Sequence, residues 1–333
     1  MEPLSPPAAP WSVHKFGGSS LATPDRIRHV ASLIEEQAMP TAVVVSAMGG
    51  VTDRLLELAD AAPIAPENFP DRLRELLDDQ RTVVNELLPD DADTAPLLRA
   101  LDDDAEDLTD VLRATRLLRT APDAARDLVA GTGEVWSARL LAALLRARGR
   151  SAAACDARDV LVVRHGDMGP VVDWSATQEQ FVEWRADHEA DILVITGFVA
   201  ATSEGVPTTL GRNGSDHSAA IFASLLGAEG LTIWTDTDGV MSADPRYVPD
   251  AQTLDALSYE EAMELAYFGA RVIHPRTLAP AVEHEIPIII RNTFSPDRPG
   301  TRIGTRIEMG AARHRRGGPG RAQHRPRGLQ CAG

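Results

Sequence analysis

A glycine-rich turn follows the first apolar run of this chain, and a lysine stands just before it. Residues 13–20 read Val-His-Lys-Phe-Gly-Gly-Ser-Ser, which predicts a strand over 12–16, then the turn, then a helix from Pro24. Glycines leave the backbone N–H groups open to phosphate oxygens. Lys15 is the only lysine among 33 basic residues. Because arginine supplies every other such charge, Lys15 indicates a need for a compact point charge, although a surface lysine beside a turn is the structural alternative.

A second dense stretch, residues 210–216, reads Leu-Gly-Arg-Asn-Gly-Ser-Asp. Its arginine, Arg212, stands near two glycines and suits bidentate capture of a carboxylate or phosphate. Either Ser215 or Asp216 has a structural explanation as the N-cap of the helix that follows. The arginine has no such explanation, so we interpret this stretch as a second anion-binding element.

Two further stretches place polar groups next to predicted elements. Thr235 and Asp236 follow a predicted strand over 231–234, where such side chains hold a ribose, a base edge or a water-bound Mg²⁺, or simply make a turn. The Gly-Thr-Gly-Glu sequence of 131–134 is predicted to open a helix. Glu134 would then lie in the first turn, where the helix dipole favours a carboxylate.

The elements that must position these residues alternate between strands and helices. A second strand, glycine turn and helix follow at 41–58, and 191–196 is a buried strand, so we predict a doubly wound sheet with its ligand at the carboxyl ends of the strands. Residues 67–128 are interpreted as inserted amphipathic helices, and the acidic run 102–107 as a solvated helix face. Other predicted strands are 151–154, 160–163 and 286–291; other predicted helices are 174–188, 259–268 and 275–282.

Composition excludes several classes of function. The net charge of −16 argues against a nucleic-acid-binding surface. The sequence contains no run of eighteen apolar residues and therefore predicts no membrane-spanning helix. Residues 1–10 lack the features of a signal peptide. Cys155 and Cys331 are too far apart to form a metal or redox motif, so a reducing, cytoplasmic location is expected.

The two termini differ from the body of the chain. Residues 1–11 are proline-rich and are expected to be disordered. After Glu308 there are six arginines and no acidic residue, and we expect 310–333 to be a disordered basic tail. A shifted reading frame explains its Arg, Gly and Pro content better than the alternative of a nucleic-acid-binding or membrane-binding arm.

Taken together, the motifs resemble the amino-acid-kinase family, and within it the aspartokinases, over residues 12–309. The match rests on Lys-Phe-Gly-Gly-Ser at 15–19, Ser46 with Thr52, Gly133-Glu134, the 210–216 stretch, Trp-Thr-Asp at 234–236, Asp-Pro-Arg at 244–246 and Gly-Ala-Arg-Val-Ile-His-Pro at 269–275. It is strongest to the kinase part of fused aspartokinase–homoserine dehydrogenases. The resemblance implies a three-layer α/β/α sandwich of the carbamate-kinase-like type, with a mainly parallel central sheet.

The resemblance also implies a reaction: transfer of the γ-phosphoryl group of MgATP to the side-chain carboxylate of L-aspartate. The product, 4-phospho-L-aspartate, begins the synthesis of lysine, threonine and methionine. Because the acceptor carboxylate is already ionised near neutral pH, no general base is needed. Catalysis should then consist of alignment and neutralisation of phosphoryl charge.

Roles in this sequence follow from the same resemblance. Lys15 would bridge the phosphates, Asp216 would orient it, Arg212 would hold the aspartate α-carboxylate and Glu134 its α-amino group. The rest of the substrate pocket would be Ser46, Thr52 and Ser215. The nucleotide would be held by Lys15, Gly17, Gly18, Ser19, Thr235, Asp236, Met241, Arg246 and Arg271. No residue is assigned as a metal ligand.

Three departures from the family pattern qualify this expectation. Arg271 replaces a common lysine, and Met241 stands where a tyrosine is frequent, which predicts altered nucleotide affinity. The family also continues into paired ACT regulatory modules beyond the end of this chain. We therefore expect a kinase domain without a lysine or threonine inhibition site, and a homodimer weakened by the missing modules.

Two other functions stay open at this stage. One is another amino-acid kinase, acting for example on glutamate or acetylglutamate; Glu134 with Arg212 suits a free α-amino acid and disfavours a blocked amine. The other is a truncated, nucleotide-binding remnant without turnover. All of the expected catalytic residues are present, which favours the enzyme.

Overall fold

The computed structural model describes residues 10–64, 69–89, 91–167, 169–244, 246–267 and 275–305. In chain order the elements are β1 (Ser12–Phe16), α1 (Pro24–Glu35), β2 (Thr41–Val45), α2 (Val51–Ala61), α3 (Phe69–Leu87), α4 (Thr94–Leu118), α5 (Asp123–Ala147), β3 (Ala152–Cys155), β4 (Val162–Gly166), β5 (Gly169–Val172), α6 (Trp174–Asp187), β6 (Ile192–Thr196), β7 (Val199–Thr202), β8 (Pro207–Thr209), α7 (Gly214–Leu225), β9 (Gly230–Thr235), β10 (Ala256–Ser258), α8 (Tyr259–Tyr267), α9 (Pro275–Glu283), β11 (Ile288–Asn292) and β12 (Thr301–Gly304).

Eight strands form the central sheet, in the order β10-β12-β11-β9-β1-β2-β6-β3. The six strands from β11 to β3 run parallel, and β12 pairs antiparallel with β11. β1 lies between β2 and β9, so the strands that follow β1 in the chain are placed on both sides of it. The carboxyl ends of these strands therefore meet at one edge of the sheet, where α/β sheets bind ligands. The predicted doubly wound, mainly parallel sheet is confirmed.

Helices cover both faces of this sheet. In β2, Val43 and Val45 pack into one core with α1 to α5, whereas Ala42 and Val44 pack into a second core with α6 to α9. All five residues of β2 are buried, as expected for a parallel strand covered on both sides. The arrangement is the predicted three-layer α/β/α sandwich.

A second sheet, of order β5-β4-β7-β8, was not predicted apart from β4. Its strands are three to five residues long and include glycine, proline and threonine, so they lack a β-branched apolar run. The sheet nevertheless matters for the site, because β8 leads directly into the loop that carries Arg212.

The helix that carries Glu134 differs from the prediction. It begins at Asp123 rather than at Gly131, so Glu134 lies at its middle and a first-turn dipole does not explain it. By length and composition α5 could cross a bilayer, but 89% of its most apolar window is buried inside the protein. It is a core helix of the sandwich.

The glycines in the middle of α5 serve close packing. A Cβ atom at Gly131 would lie 2.4 Å from Val199 Cγ1, and one at Gly133 would lie 2.8 Å from Ala47 Cβ. The Gly-Thr-Gly sequence thus brings the helix against strand ends on both sheets, although it reads as a turn in the sequence.

Gly131→Ala tests this packing. Alanine normally stabilises a helix interior by about 1 kcal/mol relative to glycine. Here the contact with the stiff Val199 side chain should reverse the sign and lower the free energy of unfolding by roughly 1–2 kcal/mol, measured by urea denaturation. In a Val199→Ala background the same change should be neutral or stabilising; an equal loss in both backgrounds would contradict the packing argument.

Candidate active site

Lys15 and Asp216 form an ion pair at the carboxyl edge of the central sheet. Lys15 lies in β1 and Asp216 in the first turn of α7, where the helix dipole favours a carboxylate, and Lys15 Nζ lies 2.6 Å from Asp216 Oδ1. The side chains are only 13% and 18% exposed, so water screens the pair incompletely. An ammonium has three N–H donors. Within the described ranges Asp216 is the one partner found for Lys15, so N–H donors remain for a ligand.

Two hydroxyl groups lie beside this pair. Ser46, immediately after β2, donates from Oγ to Ser215 Oγ at 3.0 Å, and its own N–H donates to Phe16 O at 3.1 Å. A Cβ atom at Gly197 would lie 2.6 Å from Ser215 Cβ, so a glycine after β6 is what lets α7 approach this closely. Ser215 and Asp216 do not cap the helix; the N-cap is Asn213, in the left-handed region at φ 58°.

The predicted phosphate turn follows β1 as a short 3₁₀ helix, Gly18–Leu21. A Cβ atom at Gly17 would lie 3.4 Å from Lys15 Nζ, and one at Gly18 would lie 2.9 Å from Ala47 O. The turn is therefore packed against both the lysine and the loop after β2. Ser19 is exposed, and its carbonyl accepts a 2.6 Å hydrogen bond from Arg26.

Glu134 projects from α5 toward the loop after β2. It is 3% exposed and accepts a hydrogen bond from the Ala47 N–H, while its Oε2 atom has no hydrogen-bond partner among the described residues. Burial raises the pKa of this carboxyl to about 8, and the hydrogen bond from Ala47 offsets only part of the effect. The half-buried Thr52 lies in the first turn of α2, which packs against α5. Glu134 is thus a buried carboxyl for which the described residues supply no cation.

Arg212 lies in the loop between β8 and α7. Gly211, at φ 74°, and Asn213 turn the backbone sharply on either side of it. The guanidinium is exposed, and the described residues include no hydrogen-bond or ion-pair partner for it. It is therefore a free cation on a loop of defined backbone conformation.

Thr235 ends β9 and Asp236 begins the loop after it, and their side-chain oxygens lie 3.3 Å apart. Asp236 is exposed, whereas Asp238, which sequence reasoning missed, accepts from Asn292 Nδ2 at 2.7 Å and pairs with Arg298. The signal that could have found this contact is the polar Asn-Thr dipeptide at 292–293, which spans the end of β11 just as Thr-Asp at 235–236 spans the end of β9.

The remaining residues predicted to bind the nucleotide lie farther along the chain after β9. Met241 forms an isolated bridge with Thr253, whose hydroxyl donates to the sulfur at 3.5 Å. Arg246 is exposed and forms a bidentate pair with Asp244, whose shortest distance is 2.5 Å. Arg271 lies outside the described residues, as do 1–9 and the predicted tail 310–333. The prediction that residues 1–11 are disordered is wrong at Trp11, which is buried in the core because its large apolar ring packs there.

The face of β1 opposite Lys15 holds a buried imidazole that sequence reasoning also missed. His14 Nδ1 accepts a 3.2 Å hydrogen bond from Trp234 Nε1, and Arg291 stacks on the Trp234 ring at 4.9 Å. Burial and the nearby Arg291 charge lower the pKa of His14 to about 4. A neutral imidazole therefore ties β1 to β9 beneath the site.

Glu134→Gln tests the buried carboxyl through the pH dependence of stability. Since the pKa is near 4.5 unfolded and about 8 folded, the unfolded chain loses its proton first as pH rises. Below pH 4.5 the carboxyl is protonated in both states, so its raised pKa does not affect the free energy of unfolding. Between pH 4.5 and about pH 8 Glu134 lowers that free energy by on the order of 1 kcal/mol per pH unit. Denaturation at pH 5, 6, 7 and 8 should show Glu134→Gln gaining on the wild type with pH; a constant difference would contradict the raised pKa.

Comparison with known proteins agrees with this architecture. Residues 10–292 match the model of the amino acid kinase family. A bifunctional aspartokinase/homoserine dehydrogenase 1 of Arabidopsis thaliana is 42% identical over 300 residues, and a bifunctional aspartokinase/homoserine dehydrogenase 2 of Escherichia coli is 38% identical over 296. The alignments cover 90% and 87% of this chain but 33% and 35% of those proteins. The chain thus spans about a third of the length of these relatives.

Solved structures show the same relationship. Escherichia coli aspartokinase III in complex with aspartate and ADP superposes with a TM-score of 0.77 at 31% identity, covering 88% of this chain and 64% of that one. Clostridium acetobutylicum aspartate kinase gives a TM-score of 0.71 at 29% identity, covering 89% and 63%. The fold, the family match and these relatives agree with the resemblance found in the sequence: the chain belongs to the amino acid kinase family and corresponds to the kinase region of bifunctional aspartokinase/homoserine dehydrogenases.

Proposed function

We propose that this chain transfers the γ-phosphoryl group of ATP to the side-chain carboxylate of L-aspartate. The observation that carries the proposal is the Lys15–Asp216 ion pair at the edge where β1, β2 and β9 end, with Ser46 and Ser215 beside it. The similarity to aspartokinases, including one solved with aspartate and ADP, supports both substrates.

The chemistry needs alignment and charge neutralisation more than proton transfer. Two anions, a carboxylate and a triphosphate, must approach each other, and the acceptor is ionised at neutral pH. Lys15 lies beside the Gly17–Gly18 turn and has donors free for phosphate oxygens. Its ammonium would offset the repulsion and the charge on the transferring group, while Asp216 keeps it in place.

The acceptor's own charges match the two unpaired groups of the site. A free α-amino acid carries an ammonium and a carboxylate; Glu134 would bind the first and Arg212 the second. Thr52, Ser46 and Ser215 would supply hydroxyl contacts. A blocked amine would leave Glu134 buried without its partner, which disfavours N-acylated acceptors.

Magnesium enters this scheme with the nucleotide. The described residues contain no group of three or more His, Cys, Asp or Glu side chains able to hold a metal ion. A site of this kind fits Mg²⁺ bound mainly by phosphate oxygens and water, as is usual for this ion, with Asp236 as the exposed carboxylate at the end of β9. MgATP is therefore proposed as the substrate.

Hydroxylamine trapping of the acyl phosphate tests the proposal. With MgATP, hydroxamate should form from L-aspartate and not from L-glutamate or N-acetyl-L-glutamate. Lys15→Ala should lower the rate by about 100-fold or more, and Lys15→Arg should restore little of it because a planar guanidinium does not replace a compact ammonium. Arg113→Ala is the matched control, since Arg113 is an exposed cation on α4 paired only loosely with Asp110, at 3.5 Å.

Each other outcome selects a different function. Hydroxamate from glutamate alone would indicate another amino-acid kinase. ATP binding without hydroxamate from any acceptor would indicate the non-catalytic remnant.

Proton release on aspartate binding tests the role of Glu134. Below pH 8 the free carboxyl is mainly protonated, and an α-ammonium beside it favours the ionised form. Binding at pH 7 should therefore release close to one proton, seen as a dependence of calorimetric binding enthalpy on buffer ionisation enthalpy. The release should fade above pH 8 and vanish in Glu134→Gln. Binding that is independent of buffer at pH 7 would remove Glu134 from the ammonium site.

A further inference from the structure

We propose that Asp127 is a positioning residue that fixes the Arg212 loop relative to Glu134 and so sets the affinity for the acceptor amino acid. This inference rests on the proposed function, because it assigns a role in holding that acceptor. Asp127 belongs to no motif of the sequence analysis and lies two turns before Glu134 on α5.

Both carboxylate oxygens of Asp127 hold β8. Oδ2 accepts from Thr208 Oγ1 and from the Thr209 N–H, each at 3.1 Å, and Oδ1 accepts from Thr209 Oγ1 at 3.2 Å. Charged acceptors make the stronger class of hydrogen bond. Three such bonds from one side chain define both the position and the orientation of the end of β8.

Asp127 takes the place of a neighbouring strand. β8 is an edge strand of the small sheet and pairs only with β7, so its outward N–H groups lack a ladder partner. Pro207 has no N–H to offer, and the Thr209 N–H is taken by Asp127. The edge is thereby fixed to α5 rather than left to solvent.

The backbone of the loop that follows β8 determines where Arg212 lies. Leu210 N–H donates to Phe198 O at 2.7 Å, and Gly214 N–H closes the turn on Gly211 O at 2.9 Å. Since Arg212 has no side-chain partner among the described residues, its location follows from the backbone alone. That backbone is fixed by Asp127 on one side and by α7 on the other.

Helix α5 thus carries Glu134 itself and, through Asp127, holds the strand that leads to Arg212. Asp127 and Glu134 are seven residues apart, which places them on one face about 10 Å apart along the axis. The helix is largely buried. We infer that it acts as a spacer between the group for the α-ammonium and the loop for the α-carboxylate.

The test compares Asp127→Ala and Asp127→Asn with Asp123→Ala, an exposed carboxylate one turn earlier on the same helix. Loss of the clamp should raise the KM for aspartate about 10- to 100-fold in Asp127→Ala, less in Asp127→Asn, with the KM for ATP changed little. Amide hydrogen exchange over 208–214 should become faster in Asp127→Ala. Asp123→Ala should match the wild type in all three readouts.

A double-mutant comparison separates positioning from general stability. In a Thr208→Val/Thr209→Val background, Asp127→Ala should add little to the KM for aspartate, because two of the three hydrogen bonds to Asp127 are already lost. A purely structural role would instead lower stability and kcat with an unchanged KM for aspartate. That result, or unchanged exchange over 208–214, overturns the inference.

Failure of the proposed function is seen separately, in the wild type. If the wild type uses a different acceptor, the proposal of aspartate phosphorylation is wrong. The effect of Asp127→Ala on the KM for that acceptor then decides the role of Asp127. If no acceptor is turned over, hydrogen exchange decides: faster exchange in Asp127→Ala supports the clamp, and unchanged exchange overturns it.

Discussion

The ion pair between Lys15 and Asp216 is the interaction on which the site depends. It joins the central strand of the sheet to the first turn of a helix far along the chain, so it forms only when α7 approaches the carboxyl edge closely. Gly197 makes that approach sterically feasible. A partly buried ion pair contributes little net stability, because desolvation offsets attraction. Its consequence is instead geometric: a flexible ammonium is held at the turn that would receive phosphate.

Two carboxylates of the site are used in opposite ways. Asp216 has its cation within the protein, whereas Glu134 is buried without one, and its pKa is raised to about 8. Near neutral pH Glu134 therefore lowers the free energy of unfolding, and an ammonium ligand beside it would offset this loss. Perturbed carboxyl groups of this kind cluster at functional sites. The contrast supports the proposed roles, in which Asp216 orients Lys15 and Glu134 binds the ligand's ammonium group.

Sequence reasoning predicted the features that are local. The β-branched runs of β2 and β6 predicted buried parallel strands, and the structure confirms them. The lysine before two glycines predicted an anion site, and that stays a prediction. Sequence reasoning was wrong about where the helix that carries Glu134 begins, because Gly-Thr-Gly reads as a turn although the glycines are packing contacts inside α5. It also missed Asp127 and Asp238, whose partners lie more than fifty residues away. Nothing in a local pattern records such contacts.

The loop after β11 shows why the nucleotide and phosphate elements must form together. Thr293 bonds through Oγ1 to Ser20 Oγ at 2.7 Å, at the end of the glycine turn, while the preceding Asn292 bonds to Asp238 in the loop after β9. Two consecutive residues thus connect the two loops on either side of the proposed nucleotide site. Because β1, β9 and β11 are adjacent and parallel, a change in register of any one strand would displace all three loops. The positions of these loops are therefore determined by the strand register of the central sheet.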